Sequence, residues 1–198
     1  MGFSQLKDQK EIIVTIFGSG RSKPETGEYR VAHDLGKELA QAGFTICNGG
    51  YGGTMEAAAR GAKQAQGRTI GIITKYFGGW SANAWIDTTE ITESFTDRLM
   101  RLISIADAYV VLKGGTGTLL ELAAAWELMN KNVLPHKPIV VVGSFWNGVV
   151  TTLKEELAWE GLEDCTRFVT GVETPSECAA FLKQRLRGLM NEQKEPRA

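Results

Sequence analysis

Cysteine is scarce in this 198-residue chain: Cys47, Cys165 and Cys178 are an odd number, and no two stand at CxxC spacing. That argues against a disulfide framework or a thiolate zinc site, and for a reducing compartment with the thiols buried as small apolar groups. Histidine is scarcer, with His33 and His136 alone, both read as surface residues; no His/Cys/Asp cluster marks a metal site. No run approaches the ~18 apolar residues of a membrane span, and residues 1–10 carry no apolar targeting core. There is no Pro- or Ser-rich linker, so residues 1–190 are read as one domain and 191–198 as a charged, disordered tail. Lys plus Arg total 22 against 23 for Asp plus Glu, which leaves no net basic field to hold nucleic acid. The expectation is a cytoplasmic protein that takes a small molecule, with neither nucleic acid nor membrane as partner.

What the chain does have is glycine, 23 residues of it, much of it following short β-branched runs. Residues 12–17 form a near-continuous apolar run of the kind buried on both faces of a parallel sheet, ended by Gly18-Ser19-Gly20. The pattern then predicts a helix over 29–42 closed by Gly43, a strand at 44–47, a helix over 54–66 stopped by Gly67, and a strand at 69–73. Residues 74–89, with Gly78-Gly79, Trp80 and Trp85, read as an irregular loop over the ligand, whose tryptophans either stack a base or pack in the core or lid. Leu99, Leu102, Ile103 and Ala106 set a helix over 97–106 and leave Arg98 and Arg101 together on an adjoining face. A strand at 109–112, a helix over 118–130 and a strand at 138–142 follow. Trp126 lies among small residues, a face suited to close packing against the core or a second subunit. Helices over 149–159 and 175–186 then flank a short strand at 167–170. Thr174-Pro175-Ser176-Glu177 supplies a cap, a proline at the first helical position and a glutamate three beyond the cap. Such alternation predicts a doubly wound, Rossmann-like α/β fold, a mostly parallel sheet with helices on both faces and ligands outside the carboxyl ends of its strands.

Three glycine turns, at Gly18, Gly49 and Gly114, directly follow strands and therefore gather at one sheet edge. None completes GxGxxG, and the Walker pattern fails as well. Two of them, 48–54 and 114–118, open helices and have the size to hold a phosphate or sugar. The candidate nucleotide-binding residues are Gly18, Ser19, Gly49, Gly50, Gly53, Thr54, Gly114, Gly115, Thr116, Gly117 and Thr118. Glu121 stands one helical turn beyond the second turn and is the sole charge between Thr118 and Trp126. It is either a catalytic carboxylate or the partner of Thr118 in a capping box. Glu56 can serve a ligand or answer the helix dipole, and Lys113 can add charge near a phosphate or stay solvated.

These residues resemble the Lonely Guy (LOG) family of nucleoside 5′-monophosphate phosphoribohydrolases, proteins often labelled lysine decarboxylases. The family's PGGxGTxxE motif is matched by Gly114, Gly115, Gly117, Thr118 and Glu121, and its GGxxGxM by Gly49, Gly50, Gly53 and Met55. Its catalytic arginine falls on Arg98, and the resemblance runs from about residue 13 to 142. Lys113 replaces the family's proline, Leu99 a lysine and Leu120 a second glutamate, the marks of a divergent subgroup. The resemblance implies cleavage of the base–ribose bond of a purine nucleoside monophosphate, of AMP or cytokinin riboside type, by a homodimer or larger oligomer without metal or cofactor. Glu121 would stabilise the cationic ribose or deprotonate the water, and Arg98 would neutralise the departing base or fix the nucleotide. Molybdenum-cofactor carrier proteins share a similar fold and similar glycine turns but bind rather than cleave, which supplies the alternative. A decarboxylase has little footing, since no lysine stands in a context that marks a Schiff base.

Overall fold

The computed structural model describes residues 11–77 and 81–188. Trp80 and the tail from 191 to 198 lie outside the described residues. The order is β1 (Ile13–Phe17), α1 (Gly27–Gln41), β2 (Thr45–Asn48), α2 (Thr54–Gln64), β3 (Thr69–Thr74) and β4 (Thr88–Thr92), followed by α3 (Phe95–Ser104) and β5 (Ala108–Val111). Then come α4 (Thr116–Asn130), β6 (Ile139–Val142), α5 (Asn147–Trp159), α6 (Glu163–Thr166), β7 (Val169–Val172) and α7 (Pro175–Arg185), with 3-10 turns at Lys75–Phe77 and Ser144–Trp146.

The strands form one sheet in the order β4-β3-β2-β1-β5-β6-β7, and every pairing is parallel rather than most of them. The apolar runs of β2, β5 and β6 are buried throughout because helices cover both faces. Helices α1, α2 and α7 pack on one face, while α3, α4 and α5 pack on the other. The chain winds outward from β1 to β4, then returns through α3 to lay β5 beside β1. This reversal opens a crevice at the carboxyl ends of β1 and β5.

β4 corrects the reading of 74–89 as wholly irregular. Thr88, Thr89 and Glu90 carry no apolar signal because this is an edge strand with one side open; its five register pairs with β3 hold it instead. The Asp87 carboxylate secures its entry by accepting from the Thr69 amide at 2.9 Å and hydroxyl at 3.1 Å. Edge placement also separates the two arginines of α3: Arg101 turns to Glu90 on β4 in a two-pronged pair of 2.6 and 2.8 Å, while Arg98 is buried. β7 lies two residues beyond its expected start, and α4 begins at Thr116 rather than Thr118. The expected cap at Thr174 forms, with Glu177 reaching back to the Thr174 amide.

Most buried polar groups are paired; among the described residues the Asn130 side-chain oxygen is buried without a hydrogen-bond partner. Thr15 donates to the Leu102 carbonyl at 3.1 Å, and the Tyr109 hydroxyl to the Ile103 carbonyl at 2.7 Å. Trp126 packs within its own chain, its indole N–H donating to the Cys165 carbonyl at 3.0 Å, and Trp146 donates to the Leu112 carbonyl at 2.9 Å. All three cysteines are free and buried, and burial pushes the Cys47 and Cys178 thiols up to about 12.

Candidate functional site

The crevice between β1 and β5 is a cleft of about 460 Å³. Gly18 and Ser19 enter from the end of β1, Gly115, Thr116, Gly117 and Thr118 from the start of α4, Arg98 from α3 and Glu121 from the second turn of α4. The arginine and the carboxylate singled out by sequence, 23 residues apart on different helices, thus face one space.

The N-cap of α4 is Gly115, so the helix has no side-chain cap, and its first turn carries no acidic residue. The positive end of a 15-residue helix is left to face the cleft, an arrangement suited to a phosphate. Because the helix starts at Thr116, Thr118 already lies inside its first turn and the Thr118–Glu121 capping box does not form. Glu121 is instead a partly buried carboxylate in the cleft wall. Burial pushes it up to about 7 from 4.5, with Arg98 acting in the opposite direction.

Arg98 is held by backbone oxygens: Nε donates to the Ile72 carbonyl at 2.8 Å and Nη2 to the Gly49 carbonyl at 3.2 Å. The guanidinium also lies 5.5 Å from the centre of the Tyr51 ring. Local sequence accounts for its placement. Ser94 caps α3 by accepting from the Asp97 amide at 3.0 Å, which puts Arg98 on the turn facing β3. A Cβ at position 49 would fall 1.8 Å from Nη2, so only glycine seats this side chain. Burial pulls the arginine below its ordinary value, and the charge of Glu121 counters that pull. Each group therefore favours the charged form of the other.

The 48–54 turn supports the cleft more than it lines it. The Asn48 carboxamide, fully buried, accepts from the Gly50 amide at 2.8 Å and donates to the Met55 carbonyl at 3.1 Å. Gly53 has a positive φ of 68°, and a Cβ there would meet the Ser19 carbonyl oxygen at 2.3 Å. Thr54 donates to that same oxygen from its amide at 2.9 Å and its hydroxyl at 3.1 Å, stitching the first glycine turn to the second. Gly49, Gly50, Gly53 and Gly114 thus stand behind the wall. Thr54 and Lys113 border a neighbouring, mainly apolar hollow of about 520 Å³, where Lys113 pairs with Glu28 at 2.7 Å. Glu56 accepts from the Tyr29 hydroxyl at 3.5 Å and does not line the cleft. Trp85 lies under the Arg60 guanidinium at 5.6 Å, away from the site.

Arg21, Tyr51 and Phe95 also line the cleft but were not singled out by sequence. Arg21 had a usable signal, following Gly20 directly in the first turn; Phe95 had none, since its position depends on how α3 meets β3. Among the described residues there is no group of three His, Cys, Asp or Glu that could hold a metal ion. Among the same residues, no helix is long and apolar enough to cross a membrane.

An all-parallel sheet with helices on both faces and a polar cleft at its switch point defines a Rossmann-like α/β protein. A sequence model of the SLOG cluster4 family matches residues 11–166, and the chain belongs to that family. An uncharacterised protein of Archaeoglobus fulgidus is 33% identical over 129 residues, 65% of this chain and 82% of that one. A cytokinin riboside 5′-monophosphate phosphoribohydrolase of Mycobacterium tuberculosis is 34% identical over 115 residues, 57% of this chain but only 60% of that enzyme's length. Among solved structures, a molybdenum cofactor binding protein of Rippkaea orientalis superposes with a TM-score of 0.71 at 25% identity, over 89% of this chain and 98% of its own. A Moco carrier protein of Chlamydomonas reinhardtii gives 0.68 at 25% identity, over 90% and 99%.

Proposed function

We propose that the protein hydrolyses the N-glycosidic bond of a purine nucleoside 5′-monophosphate, of AMP or cytokinin riboside monophosphate type, to free base and ribose 5-phosphate. One observation carries the reading: Glu121 and Arg98 face the same cleft, just beyond an uncapped helix N-terminus. The phosphate binds at residues 115–118, with Ser19 and Arg21 beside it, and the ribose extends toward Glu121. The C1′–N9 bond breaks with its electron pair leaving on the base, and the ribose passes through an oxocarbenium-like state. The Glu121 carboxylate stabilises that cation and takes the proton of the attacking water, while the departing base takes up a proton from solvent to leave as the free base. A carboxyl group with a pKa near 7 is suited to this exchange at neutral pH. Arg98 is too basic to act as the proton donor; it orients the nucleotide and offsets negative charge on the departing base. The sequence relationship to a phosphoribohydrolase supports the same chemistry.

The same reading assigns the protein to the cytoplasm as a homodimer or larger oligomer. Exposed Leu120 on α4 and Met100 on α3 support a subunit contact on these helices. A second reading, a non-catalytic carrier of a phosphorylated cofactor such as molybdenum cofactor, draws support from the nearly end-to-end superposition on two such proteins. One assay separates the two: incubation with a panel of nucleoside monophosphates, followed by chromatography of free base and an ultraviolet spectrum of the protein as isolated. Hydrolysis predicts released base and no bound chromophore. A carrier predicts a retained pterin or nucleotide and no product.

A further inference from the structure

A second polar hollow, of about 390 Å³, opens at the opposite edge of the sheet, where β6 and β7 begin. Its floor is aromatic: Phe168 is buried, and Phe181 of α7 is half-buried beside it. Its rim is cationic. The Arg167 guanidinium lies 5.9 Å from the centre of the Phe168 ring, and the His136 imidazole is tilted against that ring at 4.5 Å. Arg185, one turn beyond Phe181, makes no ion pair or hydrogen bond with any of the described residues. Arg167 meets only Asp164, in an exposed pair at 3.2 Å that contributes little. Lys137 also borders the hollow, with its ammonium turned toward the Ser104 carbonyl and the Tyr109 ring. Among the described residues, no carboxylate lines the hollow.

In a chain of net charge -1, this is positive charge gathered around a concave surface, offset among the described residues of the rim only by the exposed Arg167–Asp164 pair. Two guanidiniums bordering one hollow favour a bound anion. Guanidinium groups match phosphate oxygens through paired N–H donors. The volume falls in the small-molecule range, whereas a nucleic-acid strand needs a continuing cationic track.

We propose that this hollow is a second ligand site, taking a phosphorylated small molecule of mononucleotide size, with its phosphate held by Arg167 and Arg185 at the rim. Such a site is separate from the cleft and needs neither Glu121 nor Arg98. The test is calorimetric titration with AMP of the full chain carrying Glu121→Gln, so that the nucleotide survives whichever function the cleft has. Two binding events per chain are expected. Adding Arg167→Glu and Arg185→Glu should abolish one of them, or weaken it at least about tenfold, and leave the other unchanged. Both arginines are exposed, and a coincident thermal melt checks that folding is unaffected. A stoichiometry unaltered by the charge reversals overturns the proposal. So does a ten-nucleotide single-stranded DNA that displaces AMP from the site these arginines control, because the occupant is then a strand.

Discussion

Glu121→Gln should make the protein more stable while removing its turnover, and the gain should depend on pH. In the folded state the carboxyl group titrates near 7 against 4.5 for the free side chain. A raised pKa means that the fold prefers the protonated form. The ionised form therefore carries a penalty that is absent below about pH 4.5, grows through the interval and is complete above about pH 7. The full shift corresponds to about 3 kcal/mol, and at pH 5 to under about 1 kcal/mol. Glutamine occupies the same volume and never ionises, so it escapes the penalty. For a domain of this size, about 3 kcal/mol raises Tm by roughly 6–12 °C. Thermal melts of both proteins from pH 5 to 8.5 should thus diverge as pH rises, with the variant melting higher. A Tm difference constant across that range, or a variant less stable at pH 8.5, refutes the assignment of Glu121 as a desolvated carboxylate.

Three further substitutions probe the rest of the site. Arg98→Lys leaves the charge but cannot reach both backbone oxygens at 72 and 49; kcat/KM for base release should fall by about 10²-fold, as for loss of one fixed electrostatic group. Gly49→Ala brings a methyl against the guanidinium, so the urea midpoint should drop by the equivalent of about 1–3 kcal/mol, with turnover lost as Arg98 is displaced. Arg101→Ala removes the half-exposed pair with Glu90 and should cost about 1 kcal/mol or less in the same urea experiment, with the rate of base release unchanged. In the unmodified protein, kcat/KM should rise with pH to a plateau, with its midpoint near the Glu121 value of about 7, because the base must be deprotonated.

Strands covered on both faces announce themselves through continuous apolar runs, and β1, β2, β3, β5 and β6 were legible for that reason. β4 was not, since an edge strand needs apolar side chains on one face at most and its Thr-Thr-Glu start resembles a loop. Phe168 drew the expected β7 toward its N-terminal side, although that ring packs in the core before the strand begins. The glycine turns fell on one edge because strand–helix alternation leaves no other place for them. What sequence could not convey was which turn faces the ligand and which supports it. The difference lies in long-range contacts, such as the Gly49 carbonyl under Arg98 and Thr54 on the Ser19 carbonyl. The pairing of Arg98 and Arg101 on one helix face was misleading for the same reason: β3 and β4 attract them in different directions.

The three sequestered sulfurs make this protein its own unfolding reporter. Cys47 lies in the middle of the sheet, Cys178 on α7 and Cys165 on the short α6. A maleimide in solution can modify each one only after the surrounding structure opens, so the order of modification ranks how readily these three regions part from the body. The same burial lets purified material be handled without added reductant.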